Sequence, residues 1–217
     1  MVCFDERYER QWAPIFGEKL HVIPFPTGPL KRGDRLEARR RLGLPPESRI
    51  VFSYGWAPEL HILPVLPSME RLSEEFEFTY LVLTPRRVEG LEGRAFVEVR
   101  HEMPPMERIY EYLHASDICL IHKEAREVRE GEVVISTSVL MCMGALTPIV
   151  TADTEFVRLL GKEVIKYRSP ADLERTIAGI FRSEIDVEET LRAAERYVVE
   201  NSPERIASEF LKLFDEL

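Results

Sequence analysis

Asparagine and glutamine are almost missing from this chain of 217 residues; Asn201 and Gln11 are the only two. Lysine is sparse as well, six against 23 arginines. Few thermolabile amides, many ionic side chains and 15 prolines are the composition of a thermophile's protein. A GC-rich genome favouring Arg and Pro codons is the alternative. No apolar run approaches the roughly 18 residues a membrane span needs. The start, Met1 to Asp5, lacks a basic region followed by an apolar stretch and is no secretory signal. Cys3, Cys119 and Cys142 lack metal-site spacing, and an odd count suits a reducing cytoplasm, the expected location. His61, His101, His114 and His122 have neither His-x-x-x-His nor mixed Cys/His spacing, so no metal centre is expected. There is no GxGxxG, no Walker loop and no Gly-x-Ser-x-Gly elbow. A net charge of −9 argues against a nucleic-acid partner, which needs a dense basic surface.

What the chain does have is a globular balance, 45% hydrophobic and 31% charged, and length enough for a real core. Residues 1–18 mix aromatics and charges without a period and read as a linker or the end of something preceding. From Leu20 onward, short apolar runs alternate with amphipathic segments, the signature of βα units and a parallel sheet. Strands are expected at Leu20–Pro24, Ile50–Tyr54, Phe78–Leu83, Phe96–Arg100, Ile118–His122, Pro148–Val150 and Glu163–Tyr167. Helices are expected at Arg35–Leu42, Leu60–Glu75 with a start blurred by Pro64 and Pro67, Pro105–Ala115, Ser138–Met143 and Glu155–Leu160. Three more follow at Asp172–Arg182, Val187–Glu200 and Pro203–Leu217. Ser169-Pro170 and Ser202-Pro203 are good helix starts, hydroxyl at the N-cap and proline after it. The domain would thus span 19–202, followed by a C-terminal helix at 203–217.

Six main strands with right-handed crossovers favour the order 3-2-1-4-5-6, a Rossmann-like doubly wound α/β sheet. Its switch point falls between the strands at 50 and 118, and ligands of such sheets bind at the carboxyl ends there. That singles out the loops Gly55–His61 and Lys123–Ser138. Gly55 permits close backbone approach, with Trp56 beside it. Gly131, flanked by Glu130 and Glu132, does the same within a loop whose charges otherwise read as a solvated surface. The hydroxyls of Ser136, Thr137 and Ser138 either cap a helix or, with its first amides, hold a pyrophosphate. Arg86 and Arg87 follow the second strand as a surface turn or a diphosphate contact. His101 ends the third, where a base would lie.

Several segments, in order, resemble the large retaining family of GT-B glycosyltransferases. His21-Val-Ile-Pro-Phe-Pro-Thr-Gly28 is similar to its strand and turn before the second domain. Arg39-Arg-Arg-Leu-Gly-Leu-Pro45 is similar to its basic helix and Leu-Gly-Leu-Pro. Ile50–Gly55 fits its strand ending in glycine. Tyr112–His122 resembles its Tyr…Ala-Asp segment, and Val139–Asp153 with Glu155-Phe-Val157 its Gly…Pro-Val-Val segment. The likeness runs from about Leu20 to Phe181. It implies the C-terminal, nucleotide-sugar-binding half of such an enzyme, transferring a hexose with retention. It implies no cofactor beyond the nucleotide-diphosphate sugar substrate, and no metal. As partners it implies a missing N-terminal acceptor domain or partner subunit, with self-association through apolar ends as a further option.

The departures fall on the family's catalytic motif, two glutamates eight positions apart. Glu130 can supply the first, but eight positions on stands Ser138, and alignment on Gly144 puts Val139 at the ribose position. The arginine and lysine that clasp the diphosphate are replaced by Trp56 and the stretch Ala57–His61. A non-catalytic nucleotide-sugar-binding or scaffolding module is therefore the rival expectation.

Overall fold

The computed structural model of the chain describes residues 1–124 and 133–215. A short strand β1 (Val2–Cys3) leads into helix α1 (Glu6–Phe16), then β2 (His21–Val22), which pairs with β1 in parallel. Helix α1 is absent from the sequence reading of 1–18. Its start is set locally by Asp5, whose carboxylate accepts the Arg7 N–H at 2.7 Å. None of its residues is fully buried, and Pro14 stands inside it, a residue that ordinarily ends a helix. Helix α2 (Arg35–Leu42) is capped by Asp34 and ends at Gly43 in the left-handed region.

The main sheet follows. Strand β3 (Ile50–Tyr54) is succeeded by the single-turn α3 (Pro58–His61), a 3₁₀ turn at Leu63–Val65 and α4 (Leu66–Ser73). Pro58, Pro64 and Pro67 break one expected helix into these three pieces, each proline standing at a start where its missing N–H costs nothing. Then come β4 (Thr79–Leu83), β5 (Val97–Arg100), α5 (Met106–Ala115), β6 (Ile118–Ile121), α6 (Thr137–Met143), β7 (Ile149–Ala152) and β8 (Ile165–Tyr167). Residues expected as a helix at 155–160 form only a 3₁₀ turn, Glu155–Val157. Helices α7 (Pro170–Phe181), α8 (Val187–Glu200) and α9 (Pro203–Asp215) complete the described chain.

All six strands are parallel, in the order β5-β4-β3-β6-β7-β8. This is the Rossmann-like doubly wound sheet expected from the sequence. Alternation along each strand divides the core in two. Ile50, Phe52, Cys119 and Ile121 face a layer containing α2, α5, α6 and α8. Val51, Ile118, Leu120 and Val150 face the layer of α4 and α7. Ser53 donates to Leu120 O at 2.7 Å and accepts from Tyr80 at 3.1 Å, so its buried hydroxyl inside β3 is satisfied. Helix α9 buries Ile206 and Leu213 against Ile23, while Ile15 and Phe214 stay exposed.

Two contacts lock the switch point. Asp117, at the α5–β6 corner, takes Arg35 at 2.7 Å, Arg39 at 2.8 Å and the Ile50 N–H at 2.7 Å, and gives its own N–H to Ile50 O. Arg39 is almost wholly buried and also donates to Ala115 O. Further along, the Gly28–Pro29 loop lies on the end of α6. A Cβ on Gly28 would strike Met141 O and the Tyr110 hydroxyl, and one on Gly144 would strike Pro29 O. The Tyr110 hydroxyl donates to Pro29 O at 2.9 Å and Met141 O at 3.0 Å, riveting that seam.

Replacing Asp117 with alanine leaves a buried guanidinium and the β3 amide without their acceptor. The expected loss is about 3–5 kcal/mol of stability, the scale of breaking one side of a buried ion pair. Denaturant unfolding of the variant measures it, and a loss below about 1 kcal/mol would contradict the account.

Candidate functional site

The chain leaves β3 toward the α4 layer and leaves β6 toward the α6 layer, so a crevice opens where these neighbours part. The loop Gly55–His61 and, among the described residues, 122–124 and 133–136 flank it. Tyr54, the last residue of β3, joins the two sides. Its hydroxyl accepts from the Cys142 thiol at 3.3 Å and is hydrogen-bonded by Ser138 in the first turn of α6. Burial, reinforced by Cys142, drives the Tyr54 phenol far above its ordinary range, so it stays protonated.

Ser136 is buried and is the N-cap of α6, its Oγ accepting the Val139 N–H at 3.4 Å. Thr137 is exposed and Ser138 half-buried. The first-turn amides of a helix have no intrahelical acceptor, which leaves this turn with donors to offer. Ser136 also borders a mostly apolar cavity of about 320 Å³ whose far wall is the N-terminal segment: Phe4, Asp5, Arg7 and Phe25. Arg7 ties that wall down through Asp5 at 2.7 Å, Glu155 O at 3.2 Å and Val134 O at 3.0 Å, and Tyr8 donates to Val133 O at 2.9 Å.

The other expected residues are more scattered. Trp56 stands next to Gly55 with 62% of its surface exposed. Arg86 reaches back to the β3 loop but its charge is met by Glu59 at 3.0 Å; Arg87 is exposed. His101 lies at the outer end of the sheet, after β5, and bonds Glu92 at 2.7 Å. Glu130, Gly131 and Glu132 lie outside the described residues. The structure therefore brings Gly55 and Ser138 together around Tyr54 and places His101 apart.

Sequence reasoning gave no role to three groups in the crevice, since it weighed His61 and His122 only as metal ligands and Lys123 only as part of a charged loop. His61 packs its ring 3.8 Å from where a Cβ on Gly55 would be. Its Nδ1 is buried without a hydrogen-bond partner, as is Nε2 of His122 at the end of β6. Burial lowers the pKa of His61, and nearby Lys123 lowers it further, against the opposing pull of the His122 backbone and Glu124. Burial likewise lowers His122, with His61 adding to it and Glu124 opposing. Lys123 is lowered by burial alone. The only signal in the sequence was position: His61 ends one of the two loops that the topology selects, and His122 immediately precedes the other.

No protein-family model matches the chain. Among solved structures, sucrose-phosphate synthase from Thermosynechococcus elongatus superposes with a TM-score of 0.73 at 18% identity, over 99% of this chain and 57% of that one. HepE from Anabaena in complex with UDP gives 0.73 at 12% identity, over 100% of this chain and 63% of that one. A glycosyltransferase from Rickettsia africae gives 0.68 at 12% identity, over 99% and 62%. The likeness is one of fold, and the fold is the Rossmann-like one of GT-B glycosyltransferases. The chain spans roughly three-fifths of the length of these neighbours. Among the described residues no helix is long and apolar enough to cross a membrane.

The two crevice histidines make a testable statement about pH. Each has a folded-state pKa below its unfolded value, so the folded chain binds fewer protons than the unfolded one under mild acid. Stability is therefore full above the ordinary histidine range near 6.5 and falls as pH drops through it toward the folded values. Denaturation midpoints between neutral and mildly acidic pH should decline, and His61→Asn with His122→Asn should flatten the decline. An equal slope in the double variant would show that other groups carry it.

Proposed function

We propose that this chain is the donor-binding part of a glycosyltransferase, taking a nucleotide-diphosphate sugar in the crevice between the β3 and β6 loops and transferring a hexose with retention. The observation that carries the reading is the fold itself. Its whole length follows glycosyltransferases, and its strand order opens a crevice at the β3–β6 switch point. HepE was solved with UDP and with UDP and glucose. On this reading Gly55 lets the backbone approach the donor, with Trp56 beside it. The first turn of α6, with Thr137 and Ser138, meets the diphosphate. Arg86 and Arg87 are further diphosphate contacts and His101 a donor contact; Glu130, the candidate for the residue near the reacting sugar, and Gly131 and Glu132 beside it in sequence lie outside the described residues. Leaving-group charge is offset by amides and hydroxyls aimed at it, without a metal or other cofactor. The acceptor is supplied by a further domain or a partner subunit, in keeping with the share of its neighbours' length the chain spans.

The second reading, a nucleotide-sugar-binding or scaffolding module without transfer, is favoured by a specific observation. Val139 is wholly buried in the core and offers no carboxylate to a ribose. Incubating residues 1–217 with donor and acceptor sugars decides part of this. Positioning two reactants is worth roughly 7–11 kcal/mol, so the chain alone should show no transfer beyond slow donor hydrolysis. Where the complementing half restores activity, the product's anomeric configuration by NMR tests retention.

Binding is tested separately, by titrating UDP, ADP and GDP into the chain. Thr137→Ala should weaken the nucleotide that binds by roughly 1–3 kcal/mol, the scale of a hydrogen bond to a charged group, without lowering the melting temperature. Ser136→Ala should do the reverse, costing about 0.5–2 kcal/mol of stability as a lost helix cap. Isotherms untouched by Thr137→Ala would remove the α6 turn from the site.

A further inference from the structure

The cavity of about 320 Å³ between the N-terminal segment and α6 has no part in the nucleotide site. Its one residue at the α6 turn, Ser136, uses its oxygen to cap the helix. The body of the cavity is apolar. Leu140, Val157 and Leu160 in its wall are buried, and Phe25 packs against the same core. Phe4 and Leu159 also line it yet stay 43% and 50% exposed, which marks the rim. Charge in the wall is balanced: Asp5 is taken by Arg7 at 2.7 Å, and Glu6 is exposed. The size falls at the low end of the roughly 300–1,000 Å³ of small-molecule sites. An apolar cavity of about 150 Å³ already holds benzene.

Two polar oxygens of the wall are unengaged. Tyr197 and the helix cap Asn201 stand one turn apart at the end of α8, and both line the cavity. The Tyr197 hydroxyl has no hydrogen-bond partner among the described residues. Asn201 gives its Nδ2 to Tyr197 O at 2.9 Å, which leaves Oδ1 as an acceptor without a donor among the described residues. Both residues are half-buried, and both oxygens keep accessible surface. Burial raises the Tyr197 pKa, and the negative charges of Glu163 and Asp5 raise it further, so the phenol stays protonated and can donate. The cavity thus offers one donor and one acceptor above an apolar body. That pair suits a hydroxyl group, which accepts one hydrogen bond and donates another. It does not suit an anion. The one cation in the wall, Arg7, is already paired, and burying an unpaired charge costs far more than burying a neutral group.

We propose that this cavity binds a neutral, mainly apolar molecule carrying one hydroxyl, a phenol in size and chemistry, with its ring against Phe25, Leu140, Val157 and Leu160 and its hydroxyl between Tyr197 and Asn201. The site is separate from the nucleotide crevice and does not depend on the glycosyltransferase reading.

Titration calorimetry of the full chain with para-cresol and with toluene tests it, alongside NMR spectra of the side-chain methyl groups. Both probes should bind saturably and shift the methyls of Leu140, Val157 and Leu160. Para-cresol should bind roughly three- to tenfold more tightly, the scale of one net hydrogen bond. Tyr197→Phe removes the donor and keeps the ring. It should leave toluene binding unchanged and erase the preference for para-cresol, with the melting curve intact. Leu160→Phe narrows the cavity and should weaken both probes. Should that variant fail to fold, the methyl shifts of the unaltered chain still locate the site. Benzoate, the anionic probe, should not bind. Four results overturn the proposal: no saturable binding of either neutral probe at millimolar concentration, shifts away from those methyls, benzoate binding as tightly as para-cresol, or a para-cresol preference that is absent or survives Tyr197→Phe.

Discussion

The carboxylate of Asp117 is the point on which this structure turns. One side chain answers a buried guanidinium from α2, a second arginine at the surface, and the first amide of β3. A buried Arg39 without it would be an uncompensated charge, far costlier than the pair is valuable. What the contact supplies is therefore register more than energy. It fixes α2 on the sheet and sets β3 against β6, with Val51 opposite Ile118. These are the two strands whose diverging exits create the crevice. Every candidate residue on the loops after them inherits its position from that pairing.

A second constraint is steric. Gly28 and Gly144 let two backbone segments approach closer than any side chain allows, and the Tyr110 hydroxyl bridges them. This gives a physical account of several segments that resemble GT-B glycosyltransferases. Asp117, Gly28 and Gly144 are architectural: they tie loops to the sheet and touch no candidate ligand position. Their presence supports the fold. Whether the chemistry accompanies it depends on other positions, and there the chain differs. Val139 is packed into the core, and Trp56 and His61 occupy a loop where a cationic clasp was expected.

The crevice that results has an unusual electrostatic character. Its basic groups, His61, His122 and Lys123, are all pushed toward their neutral forms by burial. The surface carries many arginine–carboxylate pairs, such as Arg71–Glu174 and Arg108–Glu102, whereas these three groups have no carboxylate partner among the described residues. A low-dielectric pocket with donors but little net charge discriminates by geometry, since an anion bound there must satisfy hydrogen bonds that water cannot easily reach.

Much of the architecture was legible in the residues. The alternation of apolar runs with amphipathic segments and the Ser-Pro helix starts are local signals, read within a few positions, and the strand order followed from crossover handedness. Helix α1 escaped because Pro14 interrupts it and aromatics mix with charges along it, and residues 155–160 form only the 3₁₀ turn Glu155–Val157, with Val157 and Leu160 reaching the core. The site was legible only as two loops. That Ser136 is a buried cap, that Arg86 is neutralised by Glu59 and His101 engaged by Glu92, and that His61 and His122 meet with unpaired nitrogens are all contacts between distant residues. Pattern and period along a chain encode which face a residue presents. They do not encode which atom it meets, because pairing and burial are decided only when the sheet brings separate loops to one end.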